Sequence, residues 1–199
     1  MIENYYPSVQ DLEIGDEFEA YAKVYRDYVN ELYSYAVSLG YSEGMAMDAI
    51  HDVFFKLVVS SKGLEDIGNV KFYLFRSIKN RLLDIQKHGR RITFDDMSKQ
   101  DFRMDVSFAD EMIISAEERH QIEIRVKKLM DELTPTQKEA IYLRYIQEME
   151  YDEIADLLHI NPESVRKLVH RGLDKLRQQN LGIIGFIIML QILNSSNPA

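Results

Sequence analysis

Long cationic side chains and an imidazole share one side of the stretch 162–178. Arg166, Lys167, His170, Arg171, Lys175 and Arg177 take one arc, and Val165, Leu168, Val169, Gly172, Leu173 and Leu176 take the other, on a helix turning about 100° per residue. Such a row suits nucleic acid, because arginine can bond a guanine edge through two parallel hydrogen bonds while lysine and a helix N-terminus hold phosphates. The start of this helix is well specified: Asn161 supplies an N-cap and Pro162 stands at the first helical position. Just upstream, Tyr151, Ile154, Ala155 and Leu158 form an apolar stripe on a short helix, and His159-Ile160 reads as the turn between the two. Two short helices joined by a tight turn, the second capped and basic outside, make a helix-turn-helix whose second helix enters the major groove. The competing reading is an ordinary amphipathic helix with a solvated basic face. His170 reads as a surface or phosphate-contacting residue, not a metal ligand, and no metal site is expected.

The helices that must carry these side chains belong to a chain of 199 residues with 33 Asp+Glu against 24 Lys+Arg, a net charge of −9. Taken globally, that charge argues against nucleic acid. Its distribution argues otherwise. Residues 1–60 hold eleven acids against three bases, a net −8. Residues 71–91 reverse to +6, residues 92–120 return to −5, and residues 164–178 stand at +4. Two basic islands thus lie inside an acidic chain, and the acidic stretches 1–20 and 92–120 are candidates to cover them in the free protein.

Apolar residues recur at helical spacing almost throughout, with no strand alternation to compete. Phe18, Tyr21, Tyr25, Tyr28, Leu32 and Tyr35 mark a first helix, Met45, Ala49, Val53 and Leu57 a second, and Leu74, Phe75, Ile78, Leu82 and Ile85 a third. Residues 60–69, with two glycines and small polar residues, read as a loop. Residues 89–115 are polar and weakly periodic, a linker with possible short local structure. Beyond it come an amphipathic stretch around Ile122, Val126 and Leu129 and a helix opened by the capping box Thr134-Pro135-Thr136-Gln137. The expected fold is all-α: two helical domains joined by a linker, the C-terminal one containing a helix-turn-helix. The boundaries are 1–91, an acidic linker 92–120, 121–180, and an apolar tail 181–199.

With these motifs in place, residues 129–178, LMDELTPTQKEAIYLRYIQEMEYDEIADLLHINPESVRKLVHRGLDKLRQQ, resemble the promoter-binding C-terminal domain of bacterial sigma factors. Residues 48–57, DAIHDVFFKL, resemble the D-x-x-Q-[DE]-V-F signature of the sigma domain that docks on RNA polymerase core, and 69–84, NVKFYLFRSIKNRLLD, resemble the helix that follows it. Two such blocks with a short linker and no third domain are similar to the extracytoplasmic-function (ECF) group. The resemblance implies that Asp48, His51, Asp52 and Phe54 contact core polymerase, with the aromatic as anchor, although Phe54 could equally be core. It implies that Lys62, Asn69, Lys71, Phe72, Tyr73, Arg76, Asn80 and Arg81 handle the non-template strand of the minus-ten element, cations tracking phosphates and rings or a loop pocket receiving a base. Phe72 and Tyr73 could instead be buried. It also implies that Ser164, Arg166, Lys167, His170, Arg171 and Lys175 read the minus-thirty-five element. Three positions depart from the family: His51 where Gln is usual, His159 where the turn often has Gly, and Gly172 where Ala is frequent.

What the chain lacks bounds the rest. Without cysteine there are no disulfides or thiolate sites, and no phosphate-loop, dinucleotide, zinc-protease or nucleophile-elbow pattern is present. No cofactor and no enzymatic activity are expected. The start, MIENYYPSVQDLE, has no secretory character, so the expected location is the cytoplasm. The apolar run 181–193 would make a helix of about 20 Å, too short for a hydrocarbon core of about 30 Å, so no stable membrane span is expected and the run should pack on the chain or on a partner. The expected function is an ECF-type sigma factor with RNA polymerase core, promoter DNA and an anti-sigma factor as partners. The alternatives are a helix-turn-helix regulator acting without polymerase and a sigma-like protein that sequesters an anti-sigma factor.

Overall fold

The computed structural model describes residues 16–60, 63–89, 102, 124, 128 and 131–178. The expectations for residues 1–15, Lys62, most of the 92–120 linker, Ile122, Val126, Leu129 and the run 181–193 lie outside the described residues. The fold is all-α: among the described residues there are six α-helices and one three-residue 3-10 turn.

Helix α1 (Asp16–Ser38) buries Tyr21, Leu32, Tyr35 and Ala36 along its stripe, while Phe18, in the first turn, remains 54% exposed. Gly40 ends it, at φ 87°, a left-handed conformation that costs glycine nothing. That reversal lets the Tyr41 N–H reach back to the Ala36 carbonyl at 3.4 Å, and Ser42 immediately caps α2 (Glu43–Val59) by accepting from the Met45 N–H. α2 turns Ala46, Ala49, Ile50, Val53, Phe54 and Leu57 inward. The loop that follows contains the 3-10 turn Leu64–Asp66. Asn69 then opens α3 (Val70–Gly89), its side-chain oxygen accepting from the Phe72 N–H at 3.1 Å. Leu74, Phe75, Ile78 and Leu82 of α3 are fully buried. Burying each such side chain contributes about 1.5–3 kcal/mol, which is what closes the three helices into a bundle.

The second unit starts with α4 (Pro135–Tyr145), where the Thr134 hydroxyl accepts from the Gln137 N–H and the Gln137 side chain accepts from the Thr134 N–H, a complete capping box. α5 (Tyr151–Leu158) carries a second box, between Glu150 and Glu153. His159 follows in the left-handed region (φ 54°, ψ 41°), so the turn forms without the glycine usual there. Asn161 accepts from the Ser164 N–H at 2.8 Å and opens α6 (Pro162–Gln178). Gly172 lets α6 approach α4 closely: a Cβ there would lie 2.7 Å from the Ile141 Cδ1.

The two units share one apolar core. Tyr35 of α1 stacks on Tyr142 of α4 at 6.1 Å with 6° between the rings, and Phe102, from the linker, packs on both. Phe102 is only 2% exposed, so at this point the polar linker contributes a core side chain. Sandwiched between α6 and the first unit, α4 is buried continuously from Gln137 to Leu143.

Candidate nucleic-acid interface

The outer face of α6 is open. Arg166, Lys167, His170, Arg171 and Lys175 are exposed and Ser164 is partly so. Arg166 lies over the Tyr151 ring at 5.3 Å, with Arg144 over the same ring at 4.9 Å, contacts that hold the guanidinium at the N-terminal end of the helix. Glu163 pairs loosely with Arg166 (3.7 Å) and Lys167 (3.5 Å). Asp174 stands 2.9 Å from the His170 ring nitrogen, giving that imidazole an acidic neighbour one turn along. Lys175 donates to the Glu132 carbonyl at 2.9 Å. Exposed pairs such as these contribute little to stability and can be exchanged for phosphate at little cost.

Helix α3 divides its non-core residues between two adjacent faces. One face meets the second unit. Asn69 donates to Glu153 at 2.6 Å, Arg76 pairs with Asp156 at 3.1 Å, and Lys79 bonds Glu139 at 2.6 Å. Phe72, on the same face, is half-buried. The other face borders α2 and forms a groove of about 220 Å³ lined by Val53, Lys56, Tyr73, Ser77, Asn80, Arg81 and Asp84. Tyr73 is 37% exposed there. Arg81 reaches across to Asp52, with Nε and Nη2 at 2.7 and 2.5 Å from one carboxylate oxygen. Lys71 turns away from both faces, pairing with Glu31 at 3.0 Å and lying over the Phe75 ring. The residues grouped by the sequence reading therefore fall into three sets: Asn69, Phe72 and Arg76 toward the second unit, Tyr73, Asn80 and Arg81 in the groove, and Lys71 toward α1.

On α2, Asp48 and His51 are exposed, and Asp52 is partly exposed and tied to Arg81. Of the two readings left open for the aromatic beside them, the packing favours core. Phe54 is 7% exposed and packs edge-on against Tyr25 with centroids 4.9 Å apart, because it lies one residue after Val53 and four after Ile50 on the buried arc. Its neighbour Phe55 is 69% exposed.

Residues 24–92 match the family model described as Sigma-70 region 2, and residues 123–176 match Sigma-70 region 4. The ECF RNA polymerase sigma factor SigM of Bacillus subtilis (strain 168) is 24% identical over 159 residues, covering 78% of this chain and 91% of SigM. The chain belongs to the ECF group of sigma factors. Another relative, the ECF RNA polymerase sigma factor SigX of the same organism, is 25% identical over 166 residues, 80% of this chain and 83% of SigX. A third, the RNA polymerase sigma factor SigV, is 20% identical over 153 residues, 77% and 86% of the two chains. No solved structure matches.

In this sigma factor the region 2 match contains α2, α3 and most of α1, and the region 4 match contains α4, α5 and nearly all of α6. Phe55 was readable from spacing alone: it stands four residues after His51 and seven after Asp48, on the same helical face as both. Lys56 and Ser77 are further groove residues that no local pattern singled out, because the groove exists only where α2 and α3 meet. Among the described residues of the sigma factor, no helix is long and apolar enough to cross a membrane.

Proposed function

We propose that this sigma factor binds RNA polymerase core through the outer face of α2 and directs initiation at promoters with both elements read by its own helices. The observation that carries the reading is that one chain of net −9 keeps an open cationic face on the capped second helix of a helix-turn-helix, together with a polar-aromatic groove in its other unit. α6 lies in the major groove of the minus-thirty-five element, where Arg166 and Arg171 reach base edges and Lys167, His170 and Lys175 hold phosphates. The α2–α3 groove takes an unstacked base of the minus-ten strand against Tyr73, with Asn80 and Lys56 as polar partners. Asp48, His51 and Phe55 meet the polymerase, the ring supplying apolar area and the acid the polar rim. Such a factor works where the chromosome is transcribed, in the cytoplasm, and an anti-sigma protein is a natural further partner.

Transcription with purified core polymerase on a promoter library tests this. The chain should yield specific start sites, Phe55→Ser should lose core binding while remaining folded, and Arg171→Ala should cost about 1–3 kcal/mol of duplex affinity. Duplex binding without core binding would replace this reading with a polymerase-independent regulator. Capture of an anti-sigma protein without initiation would replace it with a sequestering protein.

A further inference from the structure

One ring joins the first helix of the helix-turn-helix to the second. Tyr151 opens α5, and its half-buried side chain has the Arg144 guanidinium 4.9 Å and the Arg166 guanidinium 5.3 Å from its centroid. The two cations are held differently. Arg144, at the end of α4, donates to the Met149 carbonyl at 2.7 Å and to Glu150 at 3.1 Å, which fastens it to the α4–α5 connection. Glu150 is itself fixed by its capping box with Glu153. Arg166 stands on the open face of α6 with its side chain 53% exposed, and Glu163 lies 3.7 Å from it, beyond hydrogen-bond length. A long exposed side chain that must find a base edge loses rotamer freedom on binding, and a contact that orders it beforehand reduces that loss. The kind of contact matters. A carboxylate would occupy the N–H groups that a guanine edge needs, whereas an aromatic face attracts the guanidinium and takes none of its five donors.

We infer that Tyr151 is a positioning residue for base reading: held by Arg144, its ring presets the Arg166 guanidinium for the major groove and so sets how strongly one base pair of the minus-thirty-five element is discriminated. This rests on assigning α6 to that element. Spacing alone places Tyr151 on the apolar stripe of α5, and its second use arises only where α4 and α6 bring their arginines to it.

Initiation by the full chain with core polymerase, on a promoter library randomised across the minus-thirty-five region, reads the base preference at each pair. Arg166→Ala and Arg171→Ala mark the pairs that the two arginines read. Tyr151→Leu should weaken discrimination roughly two- to fivefold at the Arg166 pair, the size of one exposed cation–ring contact, and leave the Arg171 pair unchanged. Tyr151→Phe, which keeps the ring, should retain the preference at both. Adding Tyr151→Leu to Arg166→Ala should change nothing further at that pair, with circular dichroism confirming that each variant folds. Undiminished preference at the Arg166 pair in Tyr151→Leu overturns the positioning role. Loss at both pairs overturns it as well, because the substitution then displaces α6 as a whole. A uniform loss of promoter strength across all sequences, shared by Tyr151→Phe, also overturns it, since that marks a phenol-to-phosphate contact. The reading beneath fails separately: if Arg166→Ala shifts no preference, or the unsubstituted chain starts no transcription with core polymerase, the assignment of α6 falls and the positioning role falls with it.

Discussion

At Glu139 one carboxylate oxygen serves a lysine of α3 and a phenol of α1, and both bonds are shielded from water. A hydrogen bond to a charged acceptor contributes about 1.5–3 kcal/mol, so Tyr35→Phe should lower stability by about 2 kcal/mol, read as a shifted urea midpoint at unchanged slope. The effect carries a pH signature. Burial first, and the nearby Glu139 second, hold the Tyr35 phenol well above its ordinary value of 10.0, and Tyr142 is likewise raised, chiefly by burial. The folded chain therefore keeps protons that the unfolded chain releases. The associated stability is complete below about pH 10, the unfolded phenol's range, and is lost as pH climbs toward the folded-state values. Tyr35→Phe should make the alkaline fall in stability shallower; an unchanged slope above pH 10 would mean that the phenol is not buried against Glu139.

At the scale of elements, the turn between α5 and α6 sets the angle at which the recognition helix is presented. His159 holds a left-handed conformation there, at a cost of about 1–2 kcal/mol for a residue with a Cβ, partly offset because glycine would lose more entropy on folding. His159→Gly should raise stability by about 0.5–1 kcal/mol in thermal melts and leave the α6 surface unaltered. This was legible beforehand as a departure from the family turn, and the structure supplies the angle. The capping box at Thr134 and the cap at Asn161 were equally legible, since each rests on neighbours within three residues. The second box, at Glu150 and Glu153, was not legible, because glutamate is a weak N-cap by type. Gly172 was legible only as a departure from the frequent Ala, and the structure shows that it also sets the approach of α6 to Ile141, a partner thirty-one residues away.

For the whole molecule, Phe102 decides how the parts behave together. It comes from the linker and packs on both Tyr35 and Tyr142, so the apolar core runs through both units. Calorimetry should show one cooperative unfolding transition for the chain, with matching calorimetric and van't Hoff enthalpies. Phe102→Ala removes about 3–5 kcal/mol of buried aromatic contact from the seam and should separate the transition into two. Two transitions in the unsubstituted chain would mean that the units fold independently.

The sequence by itself determined the helices, the caps at Thr134 and Asn161, the helix-turn-helix, the two basic islands and the family, because each depends on periodicity or on residue types within a few positions of one another. Only the tertiary structure decided which charges stay open to solvent and which face the protein. Asp52 and Arg81 were assigned to different partners and pair with each other. Arg76 and Asn69 were assigned to nucleic acid and meet acids eighty or more residues away. A charge is visible in the sequence, but its partner is chosen by packing across the chain, and no spacing rule reaches that far.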